Sequence, residues 1–252
     1  MRLHHRLDGH DGASPLVLSS SLGTTHGLWD PQVPALSTRF RVIRYDRRGH
    51  GDSPVPRGPY SIEDLGNDVL ELLDDLGVAR ASFCGLSIGG MVGMWLASEA
   101  PARVDRLVLC STAPALPPRE QWLDRAATVR KDGVRAVAQA VLARWFTPDA
   151  RRDLVARFEA MLVSTPAEGY AGCCEALAGL DLQDRLAAIE APTLVVTGSE
   201  DPVAPPASGD ALAAAIAGAR HVSIAGAAHI ANAEQPEAFT QRLLEHLTEE
   251  TP

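Results

Sequence analysis

The stretch Phe83-Cys84-Gly85-Leu86-Ser87-Ile88-Gly89-Gly90 limits this chain more than any other part of it. An apolar run ends in Gly-x-Ser-x-Gly, and an apolar segment with helical spacing follows at once. A serine flanked in this way belongs on a tight turn from strand to helix, because Gly85 and Gly89 lack the Cβ atoms that would collide there. The helix predicted from Ile88 to about Ser98 would aim its first N–H groups at the oxygen under attack. The five residues alone also fit a Gly-rich turn packed in a core. Their weight comes from what stands before and after them.

Before them, Leu3 to Leu7 with Asp8-Gly9 and Asp11-Gly12 reads as a strand and turn, an N-terminal hairpin that would hold His4, His5 and His10. Pro15 to Ser19 and Arg41 to Asp46 read as further strands, the first followed by the small-residue loop Ser20 to Thr25 and the second by Arg47-Arg48-Gly49-His50-Gly51-Asp52-Ser53. Ser61 and Asp64 form a variant capping box for a helix whose buried stripe is Leu65, Val69, Leu72, Leu73 and Leu76. Ala81 to Leu86 and Val104 to Cys110 are the strands either side of the helix that starts at Ile88. This rhythm predicts an α/β fold with a mostly parallel sheet covered on both faces.

The alternation breaks from about Pro114 to Ala191, where the pattern is helical. Val134, Val137, Ala138, Val141, Leu142, Trp145 and Phe146 keep a period near 3.6. Thr147-Pro148 and Thr165-Pro166 each read as a cap before a first-turn proline, with Glu168 completing a capping box on Thr165. Asp181 opens a last short helix. Strands resume at Thr193 to Gly198 and His221 to Ile224, with helices from about Ala207 to Ala217 and Gln235 to Leu247. The division expected is a sheet core from 1–113 and 192–252 with a helical cap, 114–191, inserted between two strands.

A chain of 252 residues with 46% hydrophobic and 22% charged residues can bury a substantial core. Its formal charge of -9 and scattered arginines argue against a nucleic-acid surface. No apolar run approaches the roughly 18 to 20 residues of a membrane span. The polar start and four cysteines without a C-x-x-C suit reduced core thiols and a cytoplasmic protein. No metal-ligand cluster of the H-E-x-x-H kind, G-x-G-x-x-G or P-loop is present, so no metal or other cofactor is expected.

A serine hydroxyl is a weak nucleophile and needs a base, which in turn needs an orienting carboxylate. Ser87, Asp201 and His229 each follow a predicted strand, and in a parallel sheet those loops share one edge. They are the candidate nucleophile, acid and base. Glu200 is the competing acid, and His26 and His50 lie in loops that could also approach. His221 opens a strand and suits a structural role, while Asp46 and Asp52 suit fixing the turn around Gly49 and Gly51. Charge developing on a carbonyl oxygen requires waiting backbone donors. The N–H of Ile88 is one, and Leu22 in the early loop is the candidate for the second.

These residues resemble the α/β-hydrolase superfamily over essentially the whole chain. Within it, the chain is similar to the 3-oxoadipate enol-lactonases, which open an enol-lactone ring in the β-ketoadipate pathway. Ser21-Leu22-Gly23, Leu28-Trp29-Asp30-Pro31-Gln32, Tyr45 to Gly51, Gly85 to Met91, Arg144-Trp145-Phe146-Thr147-Pro148 and Ala228 to Pro236 carry the resemblance. Ser20-Ser21 depart from the His-Gly that many superfamily members carry before the oxyanion residue, a departure the lactonase-like relatives share. The resemblance implies a small anionic lactone as substrate, acyl transfer from Ser87 to water, and no nucleic-acid or membrane partner. It suggests Arg144 as a contact to the anionic group and Trp145 as a pocket wall. A general carboxylesterase or perhydrolase on the same fold, and a ligand-binding module derived from a hydrolase, are the alternatives.

Overall fold

The computed structural model describes residues 1–116 and 118–249. Its elements in chain order are β1 (His5–Asp8), β2 (Ser14–Ser19), α1 (Val33–Leu36), β3 (Phe40–Tyr45), α2 (Ile62–Asp75), β4 (Ala81–Leu86), α3 (Ile88–Glu99) and β5 (Val104–Cys110). Four helices follow, α4 (Arg119–Asp132), α5 (Arg135–Trp145), α6 (Arg152–Val163) and α7 (Ala167–Ala178). The chain closes with β6 (Thr193–Gly198), α8 (Pro206–Ala215), β7 (Arg220–Ile224), α9 (Ala231–Glu234) and α10 (Pro236–Leu247).

The strands form one seven-stranded sheet in the order β1-β3-β2-β4-β5-β6-β7, parallel except for β1. β4 and β6 are buried at every position, as strands covered on both faces must be. α3 is buried from Ile88 to Ala97 and lies against β4 and β5. The expected capping box holds at α2, where Ser61 Oγ accepts the Asp64 N–H and the Asp64 carboxylate accepts the Ser61 N–H. All four cysteines are buried and free. Among the described residues, no helix is long and apolar enough to cross a membrane.

Three local expectations give way. The N-terminal hairpin does not form, because β2 pairs in parallel with both β3 and β4 and has no edge left. β1 therefore takes the free edge of β3, antiparallel, with His5 opposite Tyr45. Thr147-Pro148 opens no helix; α6 begins only at Arg152. α7 does begin after Pro166, yet without the capping box. The Glu168 carboxylate is taken by the Arg130 guanidinium and the Gly58 N–H, and the Thr165 hydroxyl donates to the Met161 carbonyl. In each case a distant partner outcompetes the local one.

The helices α4 to α7 leave the sheet after β5 and return before β6. The two ends of the excursion meet, with the Leu182 N–H donating to the Pro114 carbonyl at 2.9 Å. The expected last short helix is a 3-10 turn, Gln183–Ala188, packed on α3.

Asp46, buried just beyond β3, ties three segments together. Its carboxylate accepts the ring N–H of His4 at 2.8 Å, and both the ring N–H (3.0 Å) and backbone N–H (2.7 Å) of His26. The Asp52 N–H adds a fourth bond at 3.2 Å, so Asp46 does fix the turn around Gly51. Burial alone would raise its pKa, but these hydrogen bonds outweigh it and hold the group at about 2, below the ordinary 3.8. A carboxylate depressed on folding stabilises the protein above its ordinary pKa, and that stability is lost as pH falls through the folded value. The gap corresponds to about 2 kcal/mol. Asp46→Asn should therefore lower stability in denaturant by at least about 2 kcal/mol at pH 7. Its deficit against the parent should narrow as pH falls from about 4 toward 2.

Candidate active site

Ser87 stands between β4 and α3 at φ 58°, ψ -121°, a conformation few side-chain-bearing residues adopt. Its N–H donates to the Cys110 carbonyl, and its carbonyl accepts from the Gly90 N–H and the Thr112 hydroxyl, each at 2.8 Å. The turn tolerates no Cβ at either flanking glycine. One on Gly85 would lie 2.1 Å from the Gly89 oxygen, and one on Gly89 would lie 2.3 Å from the Ser19 oxygen. Ser87 is the one residue from Ala81 to Val92 that is not buried.

Asp201 and His229 lie in the loops after β6 and β7, both buried, with Asp201 Oδ2 2.9 Å from His229 Nδ1. A carboxylate only accepts, so the imidazole proton sits on Nδ1 and leaves the Nε2 lone pair free. Burial pushes the Asp201 pKa up, but the His229 ring and the N–H groups of Ala204 and Val203 more than reverse this and keep it below the usual carboxylate value. Asp201 thus stays charged. His229 lines one cavity with Ser87. No hydrogen bond joins them among the described residues, a slack common before substrate arrives. The competing candidates are engaged elsewhere. Glu200 is exposed, His26 bonds Asp46, and His50 accepts from the Gly23 N–H.

The N–H groups of Leu22 and Ile88 carry no partner within the described residues. For Ile88 this follows from its place as the first residue of α3. Leu22 lines the same cavity as Ser87.

Helices α4, α5 and α7 supply much of the remaining cavity wall: Trp122 and Arg125, Val141, Arg144 and Trp145, and Tyr170 and Leu177. Arg144 and Trp145 were expected at the site. Trp145 also packs edge-on against Phe146 and Phe158, so it serves wall and packing together. Arg125 and Trp122 were missed. Their signal was three-residue spacing on one helical face, which stacks the Arg125 guanidinium 4.6 Å over the Trp122 ring. Neither Arg125 nor Arg144 has a carboxylate partner among the described residues. Burial and the nearby Arg125 charge both depress the Arg144 pKa. Two roomier clefts, about 590 and 610 Å³, are lined by neither serine nor histidine.

One group among the described residues could hold a metal ion: His4, His26 and Asp46, whose ligand atoms lie within 4.8 Å of one another. It lies outside the Ser87 cavity, and its hydrogen bonds already account for the grouping.

The sequence pattern of the α/β hydrolase fold family matches residues 14–236. The chain belongs to that family. This hydrolase is 40% identical to 3-oxoadipate enol-lactonase 2 of Acinetobacter baylyi over 94% of its length and 90% of the relative's. It superposes on the crystal structure of the enol-lactonase from Burkholderia xenovorans with TM-score 0.95 and 48% identity, covering 98% of this chain and 96% of that one. A thermophilic esterase from Thermogutta terrifontis, solved with malate bound, gives TM-score 0.93 at 30% identity, covering 97% and 92%. The hydrolase is thus a serine-type enzyme acting on esters or lactones.

Segments of the hydrolase that looked like separate signatures in the sequence are bonded to one another. Gln32 Nε2 donates to the Asn232 carbonyl (2.9 Å), and Asn232 Nδ2 donates to the Leu28 carbonyl (3.0 Å). The Glu234 carboxylate accepts the Thr147 N–H and hydroxyl (2.9 and 2.8 Å) and the Ala228 N–H (2.7 Å). The Ile230 N–H donates to the Trp145 carbonyl at 3.0 Å. His229 thus sits in a loop bracketed by the segment from Leu28 to Gln32 and by the end of α5. Glu234→Ala should cost about 1–3 kcal/mol in chemical denaturation, because it strands three donors at once.

Proposed function

We propose that the enzyme hydrolyses 3-oxoadipate enol-lactone to 3-oxoadipate. The observation that carries this reading is a single cavity lined both by Ser87 and His229 and by two arginines, Arg125 and Arg144, without carboxylate partners among the described residues. Ring-opening needs the first pair, and a substrate carboxylate needs the second. The similarity to two enol-lactonases supports the same reading.

In the proposed sequence, His229 Nε2 takes the proton as Ser87 Oγ adds to the lactone carbonyl. The oxygen gains negative charge facing the N–H groups of Leu22 and Ile88, donors of a kind worth about 3 to 4 kcal/mol each in the transition state. The carbonyl re-forms as the ring C–O bond breaks and the His229 imidazolium passes its proton to the departing ring oxygen, leaving a neutral imidazole and an acyl-enzyme that carries an enol. Conjugation stabilises that leaving group, so little acid assistance is required. Water then gives a proton to His229 and attacks the acyl carbon; Ser87 leaves with that proton, and the enol tautomerises to the ketone. Asp201 holds the imidazole in its tautomer and balances its transient positive charge. Residues 114–191 act as a cap that brings Arg125, Arg144 and the aromatic wall over the nucleophile.

The reading is tested by following enol-lactone loss with purified protein. Ser87→Ala should cost on the order of 10⁶ in kcat. Arg125→Ala and Arg144→Ala should each raise KM for the anionic lactone about 10-fold or more, leaving a neutral p-nitrophenyl ester nearly unaffected. The likeness to the Thermogutta esterase favours a carboxylesterase as the second reading. Much faster turnover of neutral esters than of the lactone, with no effect of either arginine, would select it.

A further inference from the structure

The catalytic reading makes no use of His50, yet this histidine is fully buried and its ring faces the loop that offers the Leu22 N–H. Its Nε2 lies 3.0 Å from the Gly23 nitrogen, 27 residues away in sequence. A backbone N–H can only donate, so Nε2 must accept, and the ring proton must sit on Nδ1, 3.3 Å from the Arg48 carbonyl. Burial and the neighbouring Arg47 charge together push the His50 pKa down to about 3, so the ring is neutral wherever the enzyme works. Protonation would set two donors against each other.

Successive peptides of the loop are each held. The Ser20 carbonyl accepts from the buried Arg47 guanidinium. The Ser21 carbonyl accepts from the Thr24 N–H and hydroxyl, at 3.3 and 2.8 Å. The Gly23 N–H is held by His50. Planar trans peptides put each N–H opposite the carbonyl of the residue before it, so the Leu22 N–H points away from the held Ser21 carbonyl and the Gly23 N–H away from the Leu22 carbonyl. With the peptides on both sides of Leu22 clamped, its φ and ψ are set and its N–H has a single direction. From above, the loop is pressed by α6 and α7: at φ +76°, a Cβ on Gly23 would lie 2.5 Å from Leu162 Cδ1 and 3.1 Å from Tyr170 Cε2. Among the described residues, His50 is the partner that holds the Gly23 N–H.

We infer that His50 is a positioning residue for transition-state stabilisation, its neutral Nε2 holding the Leu22–Gly23 peptide so that the Leu22 N–H meets the developing oxyanion. This rests on the Ser87 acyl-transfer reading above. A donor that is misdirected harms the tetrahedral state far more than the ground state, because the charge exists only there. A residue serving the fold alone would not split kcat from KM.

The experiment compares His50→Phe, which keeps an apolar ring but cannot accept, with His50→Gln, whose Oε1 can. The readouts are kcat and KM on enol-lactone and on p-nitrophenyl acetate, and affinity for a trifluoromethyl ketone that adds to Ser87 as a tetrahedral adduct. His50→Phe should lower kcat about 10- to 100-fold with KM within about twofold, and weaken the ketone by a matching factor. His50→Gln should recover most of both. Unchanged kcat and ketone affinity in a folded His50→Phe would overturn the assignment, as would equal losses in both variants. A reading on the parent protein needs no variant: histidine ring ¹⁵N shifts and the coupling across the Gly23 hydrogen bond should show Nδ1 protonated and Nε2 accepting. An Nε2-protonated ring, or no coupling, would overturn it too. If Ser87→Ala abolishes turnover while His50→Phe does nothing, only this inference fails; if Ser87→Ala stays active, the acyl-transfer reading fails with it.

Discussion

Three backbone segments pass so closely at Ser87 that no side-chain carbon fits between them, and much else follows from that crowding. The end of β2 reaches Gly89, the start of α3 reaches Gly85, and β4 feeds the serine between them. The chain can turn this sharply only with Ser87 at positive φ, a strain of order 1–3 kcal/mol that the packed surroundings must hold. The same turn makes Ile88 the first residue of its helix, which leaves its N–H without an internal partner. It also draws the loop after β2 against the helix start, which is how Leu22 comes to line the cavity with Ser87. Nucleophile and both candidate oxyanion donors thus share one steric cause.

The parts of this arrangement that were legible in the sequence are those with a local cause. Gly85 and Gly89 announce the tight turn because only glycine fits there. The stripe from Leu65 to Leu73 announces α2, and strand-ending loops announce where Ser87, Asp201 and His229 would meet. What was illegible had a distant cause. Asp8-Gly9 looks like a hairpin turn, yet β1 crosses to β3 because β2 has both edges occupied. Thr165 and Glu168 have the spacing of a capping box, yet a guanidinium 38 residues upstream of Glu168 binds that carboxylate more strongly than an N–H would. Arg125 carries a local mark, its three-residue spacing from Trp122, but nothing in that spacing names its destination. Its place at the cavity depends on how α4 leans over the sheet, which no stretch of α4 alone encodes.

The bracket around His229 is a further case of distant cause. Gln32 and Asn232 are 200 residues apart, and Thr147 and Glu234 are 87 apart. Each is unremarkable where it stands. Together they fasten the loop carrying the imidazole to the 3-10 turn His26–Trp29 on one side and to the end of α5 on the other. That joins two requirements that need not have been linked: the imidazole must be fixed to within hydrogen-bonding tolerance, and the helical wall must stand at a set height above the serine. A single carboxylate, Glu234, serves both, since it accepts from the residue before His229 and from the residue after Phe146. Displacement of α5 is therefore transmitted to the loop that carries the imidazole.

Net charge points the wrong way for the ligand proposed, and the structure explains why this is no obstacle. With 32 acidic and 23 basic residues the surface as a whole repels an anion. At physiological salt, however, exposed charges fade over about 8 Å, whereas groups shielded in a cavity are screened far less. Arg130 shows how the chain treats an arginine that serves structure: two carboxylates, Glu168 and Glu175, hold it. In a protein so rich in carboxylates, two arginines without one line a single cavity, and burial and the nearby Arg125 charge both work against the charged Arg144. An anion between them relieves both terms at once, and a neutral ester relieves neither. On the proposed function, discrimination would then reside in a repulsion at Arg144 that a carboxylate-bearing ligand removes.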